Sequence, residues 1–209
     1  MKQNCWATNG YQHNNFTLDL PEHVYLIFHN TLDFPALSMT QHTPNDTIDS
    51  LLGLKPGMTT YAVRHEREKV VLATQGSEQG LFDPELAGLT VEERLLAALL
   101  ACALTPASEL LNEYKSRLEK NGSPSTLIDS VSRAELNNIQ PARLKSILTF
   151  THTLITDPVR ADKQALLALQ QDGLSTPEIV TLAQLIAFVS YQVRLAAGLK
   201  AMKALEQKA

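Results

Sequence analysis

From residue 46 onward, apolar residues recur at helical spacing, and the gaps between the apolar stretches carry helix start and stop residues. Asp46 caps a short helix through Leu52, stopped by Gly53 and Pro56-Gly57. Met58 to Gln75 is amphipathic and ends before Gly76 and Gly80. Thr90-Val91-Glu92-Glu93 fits a capping box, and every residue from Leu95 to Leu104 is apolar. Pro106 interrupts or restarts that helix, and Ala107 to Asn121 reads as another, closed by Gly122. Further helices run from Ser123-Pro124 to Val131, from Gln140-Pro141 to Thr156 and from Arg160 to Gln171. The last opens at Ser175-Thr176-Pro177-Glu178 and reaches Leu205. The pattern predicts an all-α domain over residues 46–209.

Two of these helices are too apolar for one buried face, which needs only a stripe roughly 100° wide. Leu95–Leu104 is apolar all round yet too short to span a bilayer, so it is expected at the centre of the fold or between subunits. Ile179–Leu199 comes closer to membrane length, but Gln184, Gln192 and Arg194 interrupt it, which favours burial in protein over lipid.

Residues 1–45 have a different pattern. They hold six of the twelve aromatic residues and four of the six histidines, but only four charged residues. This contrast marks an appended, irregular arm, in which Val24 to Phe28 is a strand or an extended segment.

Composition narrows the function classes. Lys and Arg total 18 against 22 for Asp and Glu, a formal charge of −4, so there is no basic footprint for nucleic acid or acidic lipid. Two cysteines, Cys5 and Cys102, cannot form a disulfide framework, and the first residues lack the layout of a signal peptide. The expectation is a soluble, cytoplasmic protein that binds neither membrane nor nucleic acid and carries no metal and no cofactor. Its apolar helices point to a homo-oligomer, a dimer or a trimer-based assembly.

Few residues suggest chemistry. No histidine pair has zinc-ligand spacing, and no phosphate loop or nucleophile elbow occurs. Cys102 lies in the apolar decapeptide, where a thiol is a poor nucleophile. His152 shares a polar stripe with Lys145, Thr149 and Thr156, which either lines a pocket or faces solvent. In the last helix Thr181, Gln184, Tyr191 and Arg194 recur at steps of three, seven and three, with Gln192 beside them. Such a stripe either knits helices together or lines a pocket for a small-molecule ligand. An unpaired Arg194 in an apolar helix would be expensive, so a carboxylate partner or a bound anion is expected there.

The stretch Leu174-Ser175-x-x-x-Ile179-Val180-x-Leu182-x-Gln184-Leu185-Ile186-Ala187-Phe188-Val189-x-Tyr191-Gln192-x-Arg194-x-x-x-Gly198-Leu199 resembles a C-terminal signature of the carboxymuconolactone decarboxylase superfamily, in its peroxidase-related branch. Leu89-Thr90-x-x-Glu93-Arg94-x-x-x-Ala98-Leu99 resembles the start of the active-site helix in alkylhydroperoxidase D-like members. The resemblance covers about residues 46–205 and implies an all-helical oligomer that reduces peroxides through a Cys-x-x-Cys pair with a nearby His and Glu. One register places the pair at Ala107 and Leu110; the other, with Glu93 as the proton-relay glutamate, places it at Thr105 and Ser108 with the His at Asn112. Neither supplies a thiol or an imidazole.

Three functions remain open. The chain is an alkylhydroperoxidase-like protein without thiol peroxidase activity that binds a ligand or regulates. Alternatively it is an acid–base enzyme of the decarboxylase kind, with Glu93, Glu113 and His152 as catalytic candidates and Gln184, Tyr191, Gln192 and Arg194 holding the ligand. The third is a structural or interaction oligomer. The first asks least of residues that are absent.

Overall fold

A computed structural model describes residues 46–105 and 107–208; the arm, with its histidines and its strand expectation, lies outside the described residues. The described chain is all α-helical: α1 (Thr47–Leu52), α2 (Thr59–His65), α3 (Glu68–Leu81), α4 (Val91–Ala103), α5 (Ser108–Lys120), α6 (Ser125–Ser132), α7 (Ala142–Thr156), α8 (Lys163–Gln171) and α9 (Thr176–Glu206). A 3-10 turn, Pro158–Arg160, precedes α8, which begins at Lys163 because Asp162 caps it through the backbone N–H groups of Gln164 and Ala165.

Helix α4 is the centre. Leu95 to Cys102 are each at most 2% exposed, and α5, α6, α7 and α9 all pack against it. Of the two places its sequence allowed, the interior of the monomer is the one it occupies. Its capping box forms as expected: Thr90 Oγ1 accepts from the Glu93 N–H at 3.1 Å, and Glu93 Oε2 accepts from the Thr90 N–H at 2.8 Å.

The single helix expected over 58–75 is two. Arg67, at φ −111 and ψ 63, breaks the helical path between α2 and α3, and α3 then continues through Gly76 and Gly80 to Leu81. A glycine inside a helix costs about 1 kcal/mol, but tertiary contacts made by one face of α3 offset that. Its C-terminus is also held from outside. The buried Arg94 donates from Nη1 to the Leu81 and Asp83 carbonyls at 2.8 and 3.0 Å. Burial lowers the pKa of this guanidinium, while nearby Asp83 and Glu93 favour its charge.

One arginine fastens the starts of the two most apolar helices. Arg143 on α7 pairs with Glu93 at 2.8 Å and Glu178 at 2.6 Å, the capping-box glutamates of α4 and α9, and donates to the Gly173 carbonyl at 3.0 Å. The approach is tight: Gly88 has φ +98, and a Cβ there would lie 2.7 Å from Glu178 Cγ. At the other end of α9, Lys203 donates to the Leu52 carbonyl at the close of α1. Glu206 accepts from the Thr59 and Thr60 N–H groups at the start of α2, at 2.6 and 3.1 Å. A buried pairing of Arg64 with Asp46 and Asp49 ties α1 to α2.

Two stability predictions follow from this frame. Bonds from the Ser175 hydroxyl and N–H, and then from Arg143, hold the Glu178 carboxyl down at about 2 against an ordinary value of 4.5. Its contribution is therefore complete above pH 4.5 and is lost as pH falls toward 2. Urea midpoints at pH 6 and pH 3 should differ less for Glu178→Gln than for wild type. Ala134 ends α6 with φ 56, the left-handed region that disfavours a Cβ. Ala134→Gly should raise stability by about 1 kcal/mol, read as a higher urea midpoint.

Candidate functional site

One group of buried polar residues stands where α3, α5 and α9 meet beside α4. Glu78 is 6% exposed and its carboxylate is fully engaged. Arg117 on α5 pairs with Oε1 at 2.5 Å, and Gln192 Nε2 on α9 donates to Oε2 at 2.9 Å. Gln192 Oε1 accepts in turn from the Tyr114 hydroxyl at 2.9 Å. The chain Tyr114–Gln192–Glu78–Arg117 thus satisfies each buried polar group it contains, which a core requires.

The electrostatics fix the direction of that chain. Burial pushes the Tyr114 hydroxyl well above its ordinary value, and the Glu78 charge and Cys102 push it the same way. Tyr114 therefore stays protonated and donates. Burial, with Glu78 adding, also pushes the Cys102 thiol up to about 12. A thiol held there is not a nucleophile at neutral pH. Cys102 is the one cysteine among the described residues, and it is buried.

The outer end of the chain reaches a surface cleft of about 480 Å³ lined by Glu78, Phe82, Asp83, Pro84, Glu113 and Arg117, among others. The Arg117 guanidinium sits over the Phe82 ring at 4.3 Å from its centroid. Among the described residues its one hydrogen bond goes to Glu78, so its other donors are open to the cleft. The arrangement buries Phe82 beneath the guanidinium and leaves the free donors of Arg117 facing the cleft beside Pro84. No group of three or more potential metal ligands occurs among the described residues.

The candidates named from sequence are scattered. Glu93 is committed to its capping box and to Arg143. Glu113 lines the α3–α5 cleft. His152 borders a different depression with Glu135, Lys145 and Thr149, its Nδ1 3.4 Å from Thr156 Oγ1. Gln184 is exposed beside Thr181 and Phe188, and Tyr191 is 40% exposed with its hydroxyl 3.1 Å from Thr74 Oγ1. Only Gln192 enters the buried chain. The expectation for Arg194 is corrected: it is exposed, donates to the Ser190 carbonyl of its own helix at 2.8 Å, and has no carboxylate partner among the described residues. Exposure removes the cost that a partner was expected to offset.

Glu78, Tyr114 and Arg117 escaped the sequence reading, although a signal was present. Val71, Gln75, Glu78 and Phe82 recur at steps of four, three and four, and Leu110, Tyr114 and Arg117 at four and three. Gln75 and Glu78 therefore stand on the inward face of α3, where a polar residue is informative. In Tyr114→Phe the Gln192 amide oxygen loses its donor, which should cost about 1–3 kcal/mol by denaturant unfolding. Gln192→Leu combined with Tyr114→Phe should cost less than the sum of the two singles.

No family model and no curated protein matches the sequence. Solved structures do match the fold. An alkylhydroperoxidase AhpD core, an uncharacterised peroxidase-related protein from Ralstonia eutropha JMP134, aligns with TM-score 0.59 and 18% identity over 66% of this chain and 72% of its own. An uncharacterised peroxidase-related protein from Silicibacter sp. TM1040 aligns with TM-score 0.60 and 16% identity over 78% of this chain and 87% of its own. A variant of the debrominase Bmp8 in complex with 2,3,4-tribromopyrrole aligns with TM-score 0.59 and 12% identity, over 82% and 94%. The helical domain therefore has the alkylhydroperoxidase AhpD-like fold, as the sequence resemblance implied.

Proposed function

We propose that this chain uses the AhpD-like fold to bind a small planar ligand in the α3–α5 cleft and does not reduce hydroperoxides through a thiol. The observation that carries this reading is Cys102, a thiol 1% exposed and pushed up to about 12. The positions where either register would place the thiol pair, Thr105 and Ser108 or Ala107 and Leu110, hold no sulfur. A thiolate that attacks peroxide needs access, a lowered pKa and a resolving partner, and Cys102 has a buried sulfur and a raised pKa.

Ligand binding is supported by the cleft itself, with Pro84 in its wall and open donors on Arg117. A structural neighbour was crystallised with a flat tribrominated pyrrole, so this fold has room for such molecules. The acid–base alternative is disfavoured by the dispersal of Glu93, Glu113, His152 and Arg194 over separate parts of the domain. Both Glu78 oxygens are also already bonded, to Arg117 and to Gln192.

With tert-butyl hydroperoxide and a dithiol reductant, wild type, Cys102→Ala and Cys5→Ser should all consume peroxide at the background rate. Turnover that disappears in either variant overturns the thiol half of the reading. For the ligand half, 2,3,4-tribromopyrrole serves as the probe in titration calorimetry. It should bind saturably to wild type and fail to bind Gln79→Trp, which fills the cleft from an exposed position and disturbs no buried contact.

A further inference from the structure

Helix α5 carries a glutamate and an arginine at the spacing that normally pairs them, and the structure leaves that pair unmade. Glu113 and Arg117 stand four residues apart with the acid nearer the helix start, the favourable order for an ion pair along one face. Arg117 turns to Glu78 on α3 instead, at 2.5 Å, and its guanidinium rests on the buried Phe82 ring. Glu113 is left half-buried, with no ion pair and no side-chain hydrogen bond among the described residues.

Both residues line the α3–α5 cleft, and the other charges there do not restore the balance. Glu78 and Arg117 cancel each other. Asp83 takes the Glu85 N–H at 2.9 Å and also favours the charge on the buried Arg94. Glu113 is therefore the carboxylate of the cleft that no cation of the described chain answers. A carboxylate drawn partly out of water costs free energy until a cation or a donor meets it. Glu113 and the open donors of Arg117 thus ask for opposite things. The first takes a cation or an N–H group, the second a carbonyl or carboxylate oxygen.

We infer that the ligand of this cleft is a small organic cation that also carries a carbonyl oxygen, an amidinium and a carboxamide on one flat ring being the simplest case. The cationic end lies on Glu113 and the oxygen on Arg117. This rests on the reading of the α3–α5 cleft as the ligand site, and adds the chemistry and the direction of what enters it. A simple anion reaches Arg117 only by lying among three carboxylates, those of Glu78, Asp83 and Glu113. A cation without an acceptor satisfies Glu113 but offers the Arg117 donors nothing. An amidinium suits Glu113 well, because its two N–H groups match the two carboxylate oxygens. Residues four apart on a helix have their Cβ atoms about 5–6 Å from each other, a separation that one ring bridges. The cleft, about 480 Å³, has room for the ring and both groups.

The test uses the full chain and four probes built on one ring: benzamidine, benzamide, benzoate and 4-carbamoylbenzamidine. Titration calorimetry near neutral pH should rank 4-carbamoylbenzamidine first. Benzamidine and benzamide should each bind at least about tenfold more weakly, and benzoate should not bind. Gln79→Trp should abolish binding of the doubly substituted probe. Glu113→Gln should remove its advantage over benzamide, and Glu113→Asp should keep part of it. Circular dichroism checks the folding of both variants, and the ranking on wild type stands without them. Benzoate binding as tightly as 4-carbamoylbenzamidine overturns the proposal, as does a ranking that Glu113→Gln leaves unchanged. Benzamidine binding as tightly as 4-carbamoylbenzamidine overturns the part given to Arg117. If 2,3,4-tribromopyrrole binds and Gln79→Trp blocks it while neither amidine binds, the cleft stays a ligand site and only this chemistry is overturned. If neither tribromopyrrole nor any of the four binds, both readings fall.

Discussion

Helix α4 has no polar face, so every direction around its axis must be closed by another helix. Burying one leucine fully is worth about 1.5–3 kcal/mol, and α4 carries four buried ones, Leu95, Leu96, Leu99 and Leu100. Helices α5, α6, α7 and α9 form a sleeve around it. This leaves the ends of α4 as the only places where polar chemistry can meet it, and the ends are where the charged residues stand. Arg94 closes α3 from the first turn of α4, and Arg143 joins the caps of α4 and α9. A layer of ionic contacts thus ties the starts of the two apolar helices together, and the apolar surfaces supply the energy.

Within that sleeve the buried Tyr114–Gln192–Glu78–Arg117 chain stands out as a polar thread through an apolar interior. It begins next to Cys102 and ends at the surface. Burial holds the thiol and the phenol protonated, and the carboxylate is bonded to an arginine and to a glutamine amide. The result is a fixed set of donors and acceptors inside the core.

Much of the fold was legible because helix starts are written in short range. The boxes at Thr90–Glu93 and Ser175–Glu178 and the stops at Gly53, Gly122 and Gly173 lie within a few residues of what they control. The break at Arg67 was not legible, since α3 is carried past two glycines by contacts with residues far away in sequence. The same distance hid the double use of Glu93, because Arg143 stands fifty residues further on. For α9 the period identified a polar stripe but not its direction. An almost uniformly apolar helix leaves the facing undecided until the neighbours are known, and the cost of burying Arg194 turned its stripe outward while Gln192, with two partners, went in.

The contacts at the far end of α9 bear on how the chain is made. Lys203 closes α1 and Glu206 opens α2, across about 150 residues of intervening chain. A ribosome delivers α1 and α2 well before these two side chains. Both helices therefore leave synthesis with one end each unfinished, and they gain these hydrogen bonds only once the end of α9 has emerged. Neither helix is long enough to persist alone in water. The start of this helical domain is thus completed by the end of α9.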